Sequence, residues 1–143
     1  MTPQELRNRT KKFAVNVIKF AKTAISSNPI DQEIGNQLTR AAGSTAAGYR
    51  ATCRARSRKD FIYKLGNTIE EVDEAALWLE VLIESETVAK RLAQPLWQEA
   101  DELTRIFVRS RQTARRRRFD PEGFAMNRGA AACHGLGAAP ASR

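Results

Sequence analysis

Residues 57–86 read SRKDFIYKLGNTIEEVDEAALWLEVLIESE, and this stretch decides the fold. Phe61, Leu65, Thr68, Val72, Ala76, Leu79 and Ile83 recur every three or four residues, the spacing that gathers side chains on one helical face. Ile62, Ile69, Trp78 and Leu82 widen that stripe. Ser57 is placed to cap the helix, with Asp60 in its first turn. The segment is expected to end near Glu86 or Thr87. Over its second half it carries Glu70, Glu71, Asp73, Glu74, Glu80, Glu84 and Glu86, without a single Lys or Arg.

The same period appears on both sides. Upstream, Thr2-Pro3-Gln4-Glu5 matches a capping box with proline at the first helical position. Phe13, Val17, Phe20, Ala21 and Ala24 then share one face until the breaker cluster Ser26-Ser27-Asn28-Pro29. A second segment runs from residue 30 or 31 to about residue 55, with Ile34, Leu38, Ala41, Ala42, Thr45 and Tyr49 inward. Its middle, AAGSTAAG, is almost all small, which predicts close approach of a neighbouring backbone, within the bundle or from another copy. Downstream, Leu92, Leu96, Ala100, Leu103, Phe107 and Val108 mark a fourth segment over about residues 88–118. Pro95 predicts either a regular start near Gln94 or a short turn and a kink. Four such segments joined by a few residues each predict an all-α, antiparallel up-and-down four-helix bundle over residues 1–118. Residues 119–143 are rich in Ala and Gly, lack the apolar period, and read as a disordered tail.

The 143 residues contain 24 Lys+Arg against 16 Asp+Glu, a net charge of +8. Arg128 and Arg143 offset Asp120 and Glu122, so the whole excess belongs to residues 1–118. Up-and-down topology gathers most of it at one pole: Arg50, Arg54, Arg56, Arg58, Lys59 and Lys64 around the second turn, and Arg105, Arg109, Arg111, Arg115, Arg116, Arg117 and Arg118 at the end of the last helix. Arg7, Arg9, Lys11 and Lys12 of the first helix lie toward the same pole, whereas Lys19 and Lys22 do not. Counting from the turns sets Arg40 level with Glu74 and Arg105 level with Glu71, two candidate inter-helix ion pairs.

A cationic pole suits phosphates, and Tyr49 and Tyr63 flank it as candidate stacking rings for unpaired bases. RNA is the expected nucleic acid, ahead of DNA. The chemistry of catalysis is missing. Cys53 and Cys133 form no metal-ligand spacing, and His134 is the sole histidine, far from any paired base or nucleophile. Glu70, Glu71 and Glu74 meet no convincing second carboxylate helix, and no phosphate-cradling glycine loop occurs. No enzyme activity, metal or cofactor is therefore expected. The basic first helix also resembles an interfacial helix, but a bundle needs the same apolar stripe, so no membrane partner is expected. No signal peptide or membrane span is visible, and a cytoplasmic, bacterial-type location is the expectation.

The stretches Ile34-Gly35-Asn36-Gln37-Leu38, Ala47-Gly48-Tyr49-Arg50-Ala51 and Arg54 to Leu65 resemble the small bacterial four-helix-bundle proteins encoded in 23S rRNA intervening sequences. Glu70-Glu71-Val72-Asp73-Glu74, Trp78-Leu79-Glu80 and Glu99-Ala100-Asp101-Glu102-Leu103 continue the likeness, which spans about residues 7–115. The resemblance implies a homopentameric ring and a basic turn region at Arg50, Arg54, Arg56, Lys59 and Lys64. It also implies kinship with the accessory protein of diversity-generating retroelements, which works with RNA and a reverse transcriptase. The expected partners are thus nucleic acid, further copies of the chain and an acidic protein. The implied alternative to RNA binding is an adaptor in a ribonucleoprotein or reverse-transcriptase complex.

Overall fold

A computed structural model describes residues 1–116. The expectations for Arg117, Arg118, Cys133, His134 and the 119–143 tail lie outside the described residues. Four helices follow in order: α1 (Pro3–Ala24), α2 (Pro29–Cys53), α3 (Arg58–Glu84) and α4 (Lys90–Arg116). No strand occurs among the described residues. Each helix packs on its two neighbours in the cycle α1–α2–α3–α4, with α2/α3 the most extensive contact and α1/α4 the least. The architecture is the all-α four-helix bundle that the periodicity predicts.

Local chemistry sets the helix ends. Thr2 accepts a hydrogen bond from the Glu5 backbone N–H at 3.1 Å, while the Glu5 carboxylate accepts from the Thr2 N–H at 2.6 Å, a complete capping box. Asn28 and Ser57 cap α2 and α3 by accepting from Ile30 and Asp60. The end of α3 is less conventional. Thr87 N–H reaches Leu82 O at 3.1 Å and Glu86 N–H reaches Ile83 O at 3.1 Å, the paired bonds of a Schellman ending. Glu86 takes the left-handed position there, with φ 58°, a place that favours glycine.

Pro95 corrects one expectation. The helix neither starts late nor turns before it; α4 begins at Lys90 and runs through the proline. Pro95 sits exposed near the helix start, so the carbonyl deprived of its helical donor lies where water serves it.

The inward stripes supply the core. Phe13, Val17, Leu38, Leu65, Val72, Leu79, Leu82, Leu103 and Phe107 are essentially closed to solvent. Four buried threonines share it, and their hydroxyls donate to carbonyls of their own helices: Thr10 to Arg7, Thr45 to Ala41, Thr52 to Gly48 and Thr68 to Lys64, at 2.9–3.0 Å. That pairing removes the cost of burying a hydroxyl. Tyr49 stacks on Phe107 with ring centroids 5.4 Å apart, tying α2 to α4 across the core.

The small stretch of α2 divides in two. A Cβ at Gly48 would stand 2.7 Å from Thr68 Oγ1, so this glycine permits the close α2/α3 approach. A Cβ at Gly43 meets nothing within 4 Å. Close approach within the bundle accounts for Gly48 alone. Gly48→Ala is expected to lower stability by about 1–3 kcal/mol through overpacking against a stiff, buried threonine. Adding Thr68→Ala should restore part of the loss in urea unfolding; an unchanged midpoint in the single variant would contradict the packing account.

Candidate nucleic-acid interface

Hydrogen bonds and ion pairs divide the cations into two sets. The first is consumed in building the bundle. Arg9 on α1 grips α4 with a forked contact: Nε to Glu99 at 2.6 Å, and Nη2 to the second Glu99 oxygen at 2.8 Å and to Glu102 at 2.5 Å. Arg9 and Glu99 are only about a quarter open to solvent, Glu102 is exposed, and hydrogen bonds from Arg9 to the two carboxylates, Glu99 first, hold the guanidinium well above its ordinary pKa. Arg111 lies over the face of Gly66 and donates to the Ile62 carbonyl at 3.2 Å, so its head fills the α3/α4 seam. Arg56 and Lys64 converge on Asp60, at 3.9 and 3.0 Å. The Arg56 backbone N–H and then Lys64 keep that carboxyl below the usual carboxylate range.

Arg40 reaches across to α3 and bonds Glu74, with Glu71 at 3.3 Å. Glu71 and Glu74 thus lie on the flank of α3 that faces α2. The expected Arg105–Glu71 pair does not form, because the two residues share a height but not a side. The side of α3 toward α4 is marked by Gly66 under Arg111 and by Glu80, which accepts from the Trp97 indole at 2.7 Å. Arg105 points to solvent, 76% exposed, and pairs one turn back with Asp101 at 2.7 Å.

The second set has no carboxylate partner among the described residues. Arg50, Arg54 and Lys59 stand exposed around the α2/α3 turn, and Arg109, Arg115 and Arg116 on the last turns of α4. Arg58, half-buried at the start of α3, is already engaged in a contact and does not belong to this set. Tyr63 is 67% exposed beside this group, whereas Tyr49 is buried in its stack with Phe107 and is unavailable to a base. Of the twelve residues expected to bind nucleic acid, the structure therefore places six in an open cationic surface. It draws Lys64 and Arg111 into internal contacts, whereas Arg56, 3.9 Å from Asp60, keeps its side chain 89% exposed.

Sequence reasoning missed the Arg9 fork and the Trp97–Glu80 bond. Height can be counted from a turn only between helices that the turn joins. No turn joins α1 to α4, and residue height does not report which flank of α3 a carboxylate occupies.

The same turn that opens onto the cations also frames a cavity of about 570 Å³. The start of α1, the end of α2, the α2/α3 turn with the first turns of α3, and the last turns of α4 enclose it, with Leu6, Tyr49, Phe61 and Ile106 among its walls and Arg58 and Arg109 lining it. Among the described residues no three His, Cys, Asp or Glu side chains are grouped to hold a metal ion, and no helix is long and apolar enough to cross a membrane.

The bundle's ion pairs make a pH dependence predictable. Glu74 is lowered by the Arg40 guanidinium and then by the Trp78 indole, and Asp60 and Glu5 are lowered by backbone N–H groups. A carboxyl lowered in the folded state contributes stability above its unfolded pKa and loses it as pH falls through the folded one. The urea midpoint is therefore expected to drop as pH falls below about 4.5. Arg40→Gln should reduce stability at neutral pH and flatten that decline; an identical slope in the variant would contradict the assignment.

The chain matches the family model for 23S rRNA-intervening sequence proteins over residues 4–109. Among solved structures it is similar to a Bacteroides thetaiotaomicron protein with unknown function from the S23 ribosomal protein family, 25% identical, with a TM-score of 0.69. That match covers 78% of this chain and 99% of the other. No match is found among curated proteins. With the four helices in place and the family match spanning nearly all of them, the chain belongs to the family of 23S rRNA-intervening sequence proteins.

Proposed function

We propose that the protein is a non-enzymatic nucleic-acid-binding bundle that takes structured RNA on its cationic pole. The observation that carries this reading is the division of the charges. The bundle pairs Arg9, Arg40, Lys64 and Arg105 with its own carboxylates and leaves Arg50, Arg54, Lys59, Arg109, Arg115 and Arg116 open together. Concentrated like charge is unfavourable to a folded chain unless a polyanion offsets it. Phosphates do so without base contacts, and the family's link to rRNA genes makes RNA the favoured polyanion. Tyr63 adds an exposed ring beside the cations.

Self-assembly belongs to the same proposal. The outer face of α1 carries Lys11, Lys12, Lys19 and Lys22 around the half-exposed Val15 and Ile18. The outer face of α3 carries Glu70, Asp73 and Glu84 around the half-exposed Leu77. These complementary faces suit a head-to-tail contact between copies, which closes into a ring when the rotation allows. The pentamer implied by the family resemblance is the assembly proposed. Light scattering at low salt should report a mass several times that of one chain; a monomer at low and high salt would refute it.

The pole is tested by filter binding of a structured RNA across a salt series. Replacing Arg50, Arg54 and Lys59 by alanine should weaken binding and reduce the log–log salt slope by about 2–3 units. Weak binding with no salt dependence in the parent chain would overturn the RNA reading and favour an adaptor that docks an acidic protein partner.

A further inference from the structure

The cavity at the basic pole is lined in two zones. Its depth is apolar: Leu6 and Tyr49 are buried, and Phe61 and Ile106 are half-buried beside them. The hydroxyl donors there are already spent, since Thr52 donates to Gly48 O and Ser110 to Ile106 O, each at 2.9 Å. Among the described residues no buried side-chain nitrogen or oxygen lacks a hydrogen-bond partner, so the interior asks nothing polar of an occupant. The rim is cationic. Arg58 and Arg109 contribute to the lining, and no Asp or Glu does. Arg58 is half-buried and already has a contact, so the weight falls on Arg109, which is exposed on α4 with the Thr113 hydroxyl one turn further on.

A volume of about 570 Å³ exceeds the packing voids of a helical core and falls within the roughly 300–1,000 Å³ of small-molecule sites. Apolar depth with a guanidinium at the rim selects one kind of molecule: a large apolar body that ends in a single anionic group. A cation is repelled by both arginines. A nucleobase fits less well, because its hydrogen-bonding edge would enter a wall whose Thr52 and Ser110 donors are taken. We propose that the cavity binds an anionic amphiphile, a carboxylate or sulfonate on an aliphatic or aryl body of octanoate size. The body lies against Leu6, Phe61 and Ile106, and the head group pairs with Arg109. The inference stands on the cavity and its rim and is independent of RNA binding. The two meet at Arg109 alone, where a bound head group would cover one of the six open cations.

Titration calorimetry of the full chain with octanoate, in low-salt buffer, tests the site. One molecule is expected per chain. Octanol, with the same body and no charge, should bind about tenfold more weakly. Arg109→Gln should weaken octanoate by about tenfold and leave octanol unchanged, whereas Arg116→Gln, the same charge change outside the lining, should alter either by less than about twofold. Ala114→Trp, which fills the cavity from its wall, should abolish binding of both. Cys53 also lines the cavity, and saturating octanoate should slow its alkylation by iodoacetamide by about tenfold, read from its peptide by mass spectrometry. No binding of octanoate, equal losses in Arg109→Gln and Arg116→Gln, or full affinity in Ala114→Trp would overturn the site. So would an affinity that falls as the protein concentration rises, which would place another copy of the chain in the cavity.

Discussion

The fork between Arg9 and Glu99–Glu102 is the contact on which the pole depends. Three of the four helix interfaces join sequence neighbours linked by four or five residues, so covalent connection already holds those pairs together. The α1/α4 interface joins the two ends of the described chain and is the least extensive of the four. A charge-assisted, three-bond grip across it compensates for modest apolar contact. The cavity and the cationic surface both lie where α1 begins and α4 ends, and their shape exists only while those helices stay docked.

Charge in this molecule is used in two ways. Carboxylates concentrated on α3 and α4 hold arginines of α1 and α2, and Glu80 and Glu74 also accept from the indoles of Trp97 and Trp78. The acidic helix is thus partly a fastening device for its neighbours. Among the cations it does not reach are those at the α2/α3 turn and the far end of α4, where the ion pairs among the described residues involve only Asp60. The functional proposal rests on this leftover set rather than on the total charge.

The helices were legible because the stripe from Phe61 to Ile83 and its three counterparts obey a 3.6-residue period, and because Thr2–Glu5 and Ser57–Asp60 are capping chemistry with short range. The Arg40–Glu74 contact was legible because a short turn fixes the relative height of α2 and α3. Pro95 and Glu86 were not, since an exposed proline near a helix start and a non-glycine left-handed cap are tolerated for reasons that lie outside the local pattern. The open surface was only half legible. Composition collects arginines at a pole, but whether Arg111 turns inward over Gly66 while Arg109 stays outside depends on the rotation of α4, which charge counting does not report.

The central claim is that the unpaired cations of one pole, and not the basic face of α1, receive RNA. Ultraviolet cross-linking of the full chain to a structured RNA, with the attached peptides located by mass spectrometry, tests it most directly. The account predicts cross-links in the peptides that contain Arg50, Arg54, Lys59 and Tyr63 and in those that contain Arg109 to Arg116. Cross-links confined to the segment from Lys11 to Lys22, or none above the level of a neutral control protein, would contradict it.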